Sequence, residues 1–204
     1  MGLEAGIAAL GLDAGPEQLD AFQTYLDELR RWNSAYNLVA PGELPQLETR
    51  HLLDALSIAP HLGEDDLLDV GTGAGFPGLP LAILQPDRAV TLIDSAGKKV
   101  RFLSHVARRL KLENVEAVHE RVERFTRTPA YRTIPSRAYA SLRLFVESVR
   151  HLADPGTRLL AMKGRYPEPE LDDLPHGVTL DTVHRLDVPG LDAERHLVVL
   201  TVSE

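Results

Sequence analysis

The sequence predicts an α/β protein in which helices cover both faces of a mostly parallel, seven-stranded sheet. Apolar, β-branched runs alternate with amphipathic helical segments between residues 67 and 162, and this alternation is typical of strands joined by right-handed helical crossovers. Two further apolar runs, 178–183 and 196–202, are separated by turn-forming residues. They predict an antiparallel pair, so that an antiparallel strand closes the sheet.

Helical patterns precede the first predicted strand. Residues 16–32 place large apolar side chains on one face at helical spacing, and residues 46–56 carry a second helical pattern. A turn containing proline and glycine separates these patterns from the sheet. We therefore expect an N-terminal helical extension over residues 1–63, packed on a main domain over residues 64–204.

The elements of the main domain are assigned from length and hydrophobic periodicity. The remaining predicted strands cover 67–70, 90–94, 115–118, 133–136 and 158–162, and the predicted helices cover 78–84, 98–110 and 139–152. The helix over 98–110 carries its basic side chains away from its apolar face. This arrangement indicates a three-layer domain.

Composition limits the classes of function. The chain of 204 residues has a formal net charge of -8 and no cysteine. The lack of cysteine excludes disulfides, thiolate metal sites and a cysteine nucleophile, and the acidic balance argues against non-specific coating of nucleic acid. The histidines show no metal-binding spacing, so no metal is expected. No membrane-spanning run or leader is recognised, and we expect a cytoplasmic protein.

A glycine-rich segment follows the first predicted strand. Gly71, Gly73 and Gly75 come directly after 67–70, where the chain turns into a helix. Glycine permits positive φ and close approach of a ligand to the backbone, and a helix N-terminus attracts anionic groups. The second strand ends in Asp94, about twenty residues further on, where a ribose hydroxyl would be bound. These features predict a nucleotide-cofactor site.

Two cofactors fit this geometry, a nicotinamide dinucleotide and S-adenosylmethionine. The dinucleotide fingerprint spaces its glycines G-x-G-x-x-G, and the segment from Gly73 to Gly78 half-satisfies that spacing. The consecutive G-x-G-x-G preceded by Asp69 is the form that methyltransferases commonly use. The turn therefore favours S-adenosylmethionine, and the dinucleotide remains the alternative on these residues.

Seven short motifs in a fixed order carry a resemblance to a known family. They are Trp32-Asn33 with Tyr36-Asn37-Leu38, Arg50-His51-Leu52-Leu53-Asp54, the run from Leu68 to Gly78, Leu92-Ile93-Asp94-Ser95 with Lys98-Lys99 and Phe102-Leu103, Arg121-Val122-Glu123, Ser136-Arg137-Ala138 with Ala140-Ser141-Leu142, and Lys163-Gly164. In this combination the chain resembles the RsmG (GidB) family, from about residue 22 to about residue 171. The resemblance implies a Rossmann-like fold and methylation of a guanine N7 in the 530-loop region of 16S ribosomal RNA, with S-adenosylmethionine as the methyl donor.

The resemblance also implies roles for individual residues. The predicted cofactor-binding residues are Asp69, Gly71, Gly73, Gly75, Phe76, Asp94, Ser95, Val122, Glu123 and Arg137, of which the resemblance implies Gly71, Phe76, Asp94, Val122, Glu123 and Arg137. Among them, Asp94 would hold the ribose, and Val122 with Glu123 would contact the adenine. One motif departs from the family pattern, because Tyr131-Arg132 stand where Phe-Asp usually precede the Ser-Arg-Ala motif.

The chemistry of guanine N7 agrees with what the sequence lacks. N7 carries an in-plane lone pair, so it can attack a sulfonium methyl group without a general base. Catalysis would then depend on alignment of the nucleophile with the methyl group and on a pocket that tolerates positive charge on the purine. Methylation at pyrimidine C5 generally needs a cysteine, and many exocyclic-amine methyltransferases carry Asn/Asp-Pro-Pro-Tyr/Phe; the sequence contains neither.

Basic residues are the candidates for RNA binding. The guanidinium fork of Arg137 suits guanine O6 or a phosphate oxygen, so Arg137 is the predicted substrate-positioning residue. The residues predicted to form an RNA-facing rim are Lys98, Lys99, Lys163 and Arg165. His51 and Asp54 lie three residues apart on a predicted helix. They either touch the substrate or pin the N-terminal helices to the sheet, and the second interpretation is favoured.

Two other classes of protein share part of this pattern. A nicotinamide-dependent oxidoreductase would also use the glycines and Asp94. A non-catalytic ribosome-assembly factor would keep the fold and bind RNA without transferring a methyl group. The expected partner is 16S ribosomal RNA or the small ribosomal subunit, with no membrane and no DNA partner.

Overall fold

The computed structural model describes residues 2–203, which contain a single seven-stranded sheet. Its strands are β1 (Leu67–Val70), β2 (Val90–Asp94), β3 (Val115–His119), β4 (Tyr131–Arg137), β5 (Ala153–Lys163), β6 (Val178–Arg185) and β7 (His196–Val202). Their order is β3-β2-β1-β4-β5-β7-β6, and β7 runs antiparallel to both β5 and β6. The other pairings are parallel. The predicted fold class is confirmed.

The helices that surround the sheet range from a single turn to 21 residues. They are α1 (Leu3–Ala9), α2 (Pro16–Tyr36), α3 (Asp54–Leu56), α4 (Gly78–Leu84), α5 (Gly97–Leu110), α6 (Leu142–Val149) and α7 (Glu168–Leu171). Turns of 3-10 helix cover Pro41–Gln46, Ala59–His61, Val122–Arg124 and Arg150–Leu152, and Glu48–Leu53 is π-helical. Within residues 2–203, no helix has both the length and the apolar composition needed to cross a bilayer.

Two predicted helices differ from the observed ones. The helix predicted over 46–56 is a π-helical segment followed by α3, because periodicity over so few turns does not distinguish the two windings. The helix predicted over 139–152 begins later, since the Ser141 hydroxyl caps α6 by accepting the Leu144 N–H at 3.2 Å. It also ends earlier and passes into 3-10 helix. Neither α1 nor α7 was predicted, because both are short.

The sheet separates two hydrophobic cores, since successive residues of a strand point to opposite faces. Leu67 of β1 belongs to the core shared with α2, α4 and α5, whereas Leu68 belongs to the core beneath α6. Phe22, Tyr25 and Leu26 of α2 are fully buried in the first of these cores. Burial of each such side chain contributes on the order of 1.5–3 kcal/mol, so the N-terminal helices are firmly packed on the sheet.

The division into an extension over 1–63 and a domain over 64–204 stays a prediction. Its outer limits, residues 1 and 204, lie outside the described residues. The helices before β1 share their hydrophobic core with α4 and α5, so the segment does not have a separate core.

The candidate site residues lie at the carboxyl edge of the parallel strands. The glycine segment follows β1, Asp94 ends β2, and Arg137 ends β4. Open α/β sheets bind their ligands at this edge, where the loops and helix N-termini meet. The topology therefore brings together residues that are more than sixty positions apart in the chain.

Candidate functional site

The turn after β1 is fixed by a buried carboxylate. Asp69 is fully buried, and its Oδ2 accepts hydrogen bonds from the Thr72 hydroxyl at 2.6 Å and the Gly78 N–H at 2.8 Å. Its Oδ1 has no hydrogen-bond partner among residues 2–203. Burial raises the pKa of Asp69 to about 6, because the charged form is poorly solvated there.

The glycines of this turn have different surroundings. Gly71, Gly73 and Gly75 have φ values of 67°, 63° and 106°, all in the region that favours glycine. A methyl group on Gly71 would meet nothing closer than 3.7 Å. A methyl group on Gly75 would lie 2.5 Å from a Leu79 methyl carbon. Gly71 therefore borders open space, whereas Gly75 is needed for close packing against α4.

Asp94 connects the glycine turn to the start of α5. Its Oδ2 accepts the Gly73 N–H at 3.0 Å and pairs with Lys99 Nζ at 3.2 Å. Its Oδ1 accepts the Ala96 N–H at 2.8 Å. These three contacts fix the carboxylate and leave one of its roughly four acceptor positions free.

The edge of the sheet carries an open space that we call the first cleft. It has a volume of about 620 Å³ and is bordered by Gly71, Glu123, Arg137, Tyr139 and Leu144. A hollow of about 130 Å³ adjoins it and is bordered by Gly71, Asp94, Ser95, Val122, Glu123 and Tyr139. The structure thus gathers six of the ten predicted cofactor-binding residues around one connected space.

Phe76, which was predicted to line the pocket, lies beneath it. Its side chain is buried, and its ring centroid lies 5.3 Å from that of Tyr25 and 5.1 Å from that of His51. The guanidinium carbon of Arg137 lies 5.0 Å from the centre of the Phe76 ring, a cation–π arrangement. In this structure Phe76 supports Arg137, and its contact with a cofactor stays a prediction.

A second cavity of about 360 Å³ lies beyond Arg137. The charged and polar residues that border it include Glu43, His51, Asp54, Arg137, Lys163 and Arg195. These residues come from the segment before β1, from the ends of β4 and β5, and from the loop before β7. Arg137 borders both the second cavity and the first cleft.

Side chains of the N-terminal segment hold two arginines at this cavity. Arg137 Nη2 lies 2.9 Å from His51 Nδ1, and Arg137 Nη1 lies 3.4 Å from Asp54 Oδ2. The other oxygen of Asp54 accepts a hydrogen bond from Arg195 Nε at 2.9 Å. His51 Nε2 lies 2.8 Å from Glu43 Oε2. One connected network therefore links the N-terminal segment to Arg137 at the end of β4 and to Arg195 in the loop before β7.

Burial changes the protonation of this network. Burial and, to a smaller extent, the Arg137 charge lower the pKa of His51 to about 4, against the opposing effect of Glu43. His51 is therefore neutral near pH 7. Burial also raises the pKa of Asp54, and the charges of Arg137 and Arg195 oppose that change.

The four basic residues predicted to form an RNA-facing rim lie on different elements. Lys98 donates to a carbonyl at the end of α2 at 2.8 Å, and Lys99 pairs with Asp94. Lys163 pairs with an α7 glutamate at 2.8 Å. Arg165 is exposed, and its side chain makes no hydrogen bond within the described part of the chain. The rim itself stays a prediction.

Tyr139, Glu43 and Arg195 are among the residues bordering the two spaces that the sequence did not indicate. Tyr139 borders the first cleft, where its hydroxyl accepts a hydrogen bond from Ser148 at 3.1 Å. Its position two residues after Arg137 was the available signal. Glu43 and Arg195 border the second cavity, and neither belongs to a local motif that would have indicated this.

Comparisons with known proteins agree on a family. The chain matches the family model described as rRNA small subunit methyltransferase G (GidB) over residues 18–198. The ribosomal RNA small subunit methyltransferase G of Stutzerimonas stutzeri is 48% identical over 200 residues, which cover 97% of this chain and 93% of the relative. The protein of the same description from Pectobacterium carotovorum is 47% identical over 193 residues, 94% of either chain.

Solved structures show the fold. A SAM-dependent methyltransferase from Aquifex aeolicus superposes with a TM-score of 0.57 at 20% identity, over 85% of this chain and 98% of that one. TrmN from Thermus thermophilus gives a TM-score of 0.57 at 22% identity, over 74% of this chain and 48% of that one. The chain therefore has the Rossmann-like fold of these proteins.

Proposed function

Because the chain belongs to the family of rRNA small subunit methyltransferase G, we propose that it transfers a methyl group from S-adenosylmethionine to N7 of one guanine in the 530-loop region of 16S ribosomal RNA. The observation that carries this proposal is the position of Arg137 between the first cleft and the second cavity. The first cleft would hold the methyl donor and the second cavity the RNA. Family membership favours this reaction over a nicotinamide-dependent oxidoreductase and over a non-catalytic assembly factor.

The residues of the first cleft fit the proposed methyl donor. The open space at Gly71 would admit a ligand against the backbone. The free acceptor position of Asp94 suits a ribose hydroxyl, and Val122 and Glu123 border the hollow where the adenine would lie. When bound, S-adenosylmethionine supplies a methyl group that is activated by the sulfonium charge.

Arg137 would position the guanine. A guanidinium has five N–H donors, and the contacts with His51 and Asp54 leave others free for guanine O6 or a phosphate oxygen. Because N7 already carries a lone pair, no residue needs to remove a proton. The task of the chain is to align the base with the methyl group, and alignment can lower the barrier by several kcal/mol.

Methyl transfer to purified RNA particles tests the proposal. Small ribosomal subunits from cells that lack this modification, assembly intermediates and free 16S ribosomal RNA are each incubated with labelled S-adenosylmethionine, and 7-methylguanosine is mapped. We expect product at a single guanine in at least one of these substrates. If the protein binds the cofactor tightly but modifies none of the three, the RNA substrate is wrong and a small-molecule methyltransferase becomes the better proposal.

A matched pair of glycine variants identifies the cofactor site. Aspartate tolerates positive φ better than most residues, and a Cβ added at Gly71 would meet no atom closer than 3.7 Å, so Gly71→Asp should fold. Its carboxylate would occupy the first cleft, and transfer should fall below about 1% of the wild-type rate. Gly11→Asp is the control, because Gly11 also has positive φ and open space but lies after α1. Equal activity of the two variants would contradict the assigned cleft.

A further inference from the structure

The orientation of Arg137 depends on side chains that are distant in sequence. Its side-chain hydrogen bonds within residues 2–203 are made to His51 and Asp54, both of which precede β1. We propose that His51 and Asp54 are positioning residues for methyl transfer, which hold the guanidinium groups of Arg137 and Arg195 in the orientation that receives the RNA substrate. This inference rests on the proposed function and extends it to the N-terminal segment.

Asp54 fixes the two arginines relative to one another. Its carboxylate is 3% exposed, and it uses one oxygen for each arginine, at 3.4 Å for Arg137 and 2.9 Å for Arg195. Arg195 is held a second time, because its Nη1 donates to the carbonyl oxygen of Glu194 at 2.8 Å. The three side chains carry one net positive charge at the second cavity. That excess charge suits guanine O6 or a phosphate oxygen.

His51 acts as a hydrogen-bond acceptor of defined tautomer. An arginine has no acceptor atom, so the contact of 2.9 Å requires that His51 Nδ1 carries the lone pair and Arg137 donates. The Nε2–H then donates to Glu43, which fixes the tautomer and the orientation of the ring. The ring also packs against Phe76, over which Arg137 lies. The edge of the Arg137 guanidinium is thus held by the hydrogen bond to His51, and the Phe76 ring contacts the guanidinium in a cation–π arrangement.

Other contacts already dock the N-terminal helices, so this network is not needed to attach them. Tyr25 donates its hydroxyl to the Ala74 carbonyl oxygen at 2.7 Å. Gln18 donates to the Leu84 carbonyl oxygen at 2.8 Å. Arg88 donates to the carbonyl oxygen of Gly63, and several apolar side chains of α2 are fully buried. Because these contacts already dock the helices, docking does not account for the polar network of His51 and Asp54. The orientation that the network gives to Arg137 does account for it.

Two substitutions of His51 separate positioning from structural support. The amide of asparagine reaches the place of Nδ1, so His51→Asn keeps an acceptor for Arg137. The longer glutamine places its amide near Nε2, so His51→Gln keeps the contact with Glu43 and loses the acceptor. We expect His51→Gln to lower the single-turnover rate on undermethylated small subunits by about 30-fold, and His51→Asn by less than about fivefold.

A third histidine variant provides the control. His105 has the same type of pair, with its Nε2 2.8 Å from Glu28 Oε2, but it lies on α5 away from the second cavity. His105→Gln should therefore transfer methyl groups at the wild-type rate. Cofactor affinity, measured by calorimetry, should stay within about twofold for all three histidine variants, because the affected groups orient the RNA.

A double-mutant cycle tests whether His51 acts through Arg137. In the Arg137→Ala background, His51→Gln should have no further effect on the transfer rate, since the group that it orients is gone. Asp54→Asn should lower the rate by about 30-fold or more, because it removes the negative charge and leaves one acceptor oxygen for two arginines. If Asp54→Asn does not fold, the two His51 variants and the cycle still decide the question.

The outcomes of this experiment are distinct from those of the proposed function. If the wild-type protein modifies no RNA, the proposed function fails. Suppose that the wild-type protein modifies the subunit. If His51→Asn and His51→Gln then lose the same activity, the positioning inference is overturned and the network is structural. The same conclusion follows if the effects of His51→Gln and Arg137→Ala on the transfer rate are additive. A selective loss in His51→Gln that vanishes in the Arg137→Ala background supports it.

Discussion

The first cleft and the second cavity meet at Arg137 but are built in different ways. The first cleft is shaped by backbone, through glycines with positive φ that follow β1 and through the ends of neighbouring strands. The second cavity is shaped by charged side chains that come from positions 43 to 195 and are joined by hydrogen bonds. The glycine turn at the first cleft is encoded in about ten consecutive residues, whereas a charge network requires the finished fold.

The largest effect is expected where the two regions meet. Arg137→Lys keeps the positive charge but replaces the planar fork with one ammonium group, which cannot engage His51 and Asp54 together. Single-turnover transfer to small subunits should fall by about 100-fold. Cofactor affinity, measured by calorimetry, should change less than about threefold.

Arg127→Lys is the matched control, because Arg127 forms an exposed ion pair with Asp66. If Arg137→Lys weakens cofactor binding as strongly as it slows transfer, Arg137 serves the first cleft alone. The assignment of Arg137 to RNA positioning in the second cavity would then be wrong.

A second prediction concerns two glycines of the turn after β1. Gly75→Ala should lower the free energy of unfolding by about 3 kcal/mol, since it combines a strained φ with an overpacked contact at α4. Gly71→Ala should lower it by about 1 kcal/mol, because only the φ is unfavourable. Urea unfolding measures both. The opposite order would show that Gly71, and not Gly75, is the packing glycine.

The pH dependence of stability should have opposite signs in the two regions. The pKa of Asp69 is about 6 in the folded protein, above its ordinary value, so the folded state binds more protons between about pH 4 and pH 6. Stability from this group is present below that window and is lost as the pH rises. The pKa of His51 is about 4, below its ordinary value, so its contribution to stability rises with pH between about 4 and 6.5.

Two variants separate these effects. The stability of Asp69→Asn relative to wild type should increase by up to about 3 kcal/mol from pH 4 to pH 7, and that of His51→Gln should decrease by a similar amount, about 3 kcal/mol. Urea unfolding at several pH values measures both slopes. A flat difference for Asp69→Asn would mean that its carboxyl is solvated as in the unfolded chain.

The smallest effect is expected at the predicted RNA-facing rim. Arg165 is exposed, and if it contacts an RNA phosphate, Arg165→Ala should reduce the slope of log affinity against log salt by about 0.7 to 1. Lys163 is already paired with Glu170, so Lys163→Ala should reduce this slope by less than about half of the change expected for Arg165→Ala. Binding of 16S ribosomal RNA across a salt series measures both. Equal slopes for the wild-type protein and Arg165→Ala would show that Arg165 does not contact an RNA phosphate.

The sequence predicted most closely those helices and strands whose formation depends on the residues of the segment itself. The bounds of β1, β2, α4 and β7 agree with the sequence pattern because apolar periodicity and β-branched content are properties of the segments themselves. The sequence predicts a helix over 46–56 but does not indicate the π-helical winding of Glu48–Leu53, since winding leaves no trace in composition. Gly71 and Asp94, which the sequence singled out, border the first cleft and its adjoining hollow, and Tyr139 was missed.

The sequence alone determined the α/β class, the glycine turn and the resemblance to a family, because each is built from short local patterns that can be found along the chain without its fold. It left His51 and Asp54 between a structural role and a functional one, and it did not indicate Glu43 or Arg195. Only the tertiary structure decided that these four side chains surround Arg137. The reason is physical: burial and pairing of charges arise from packing between segments more than eighty residues apart, and no local pattern specifies them.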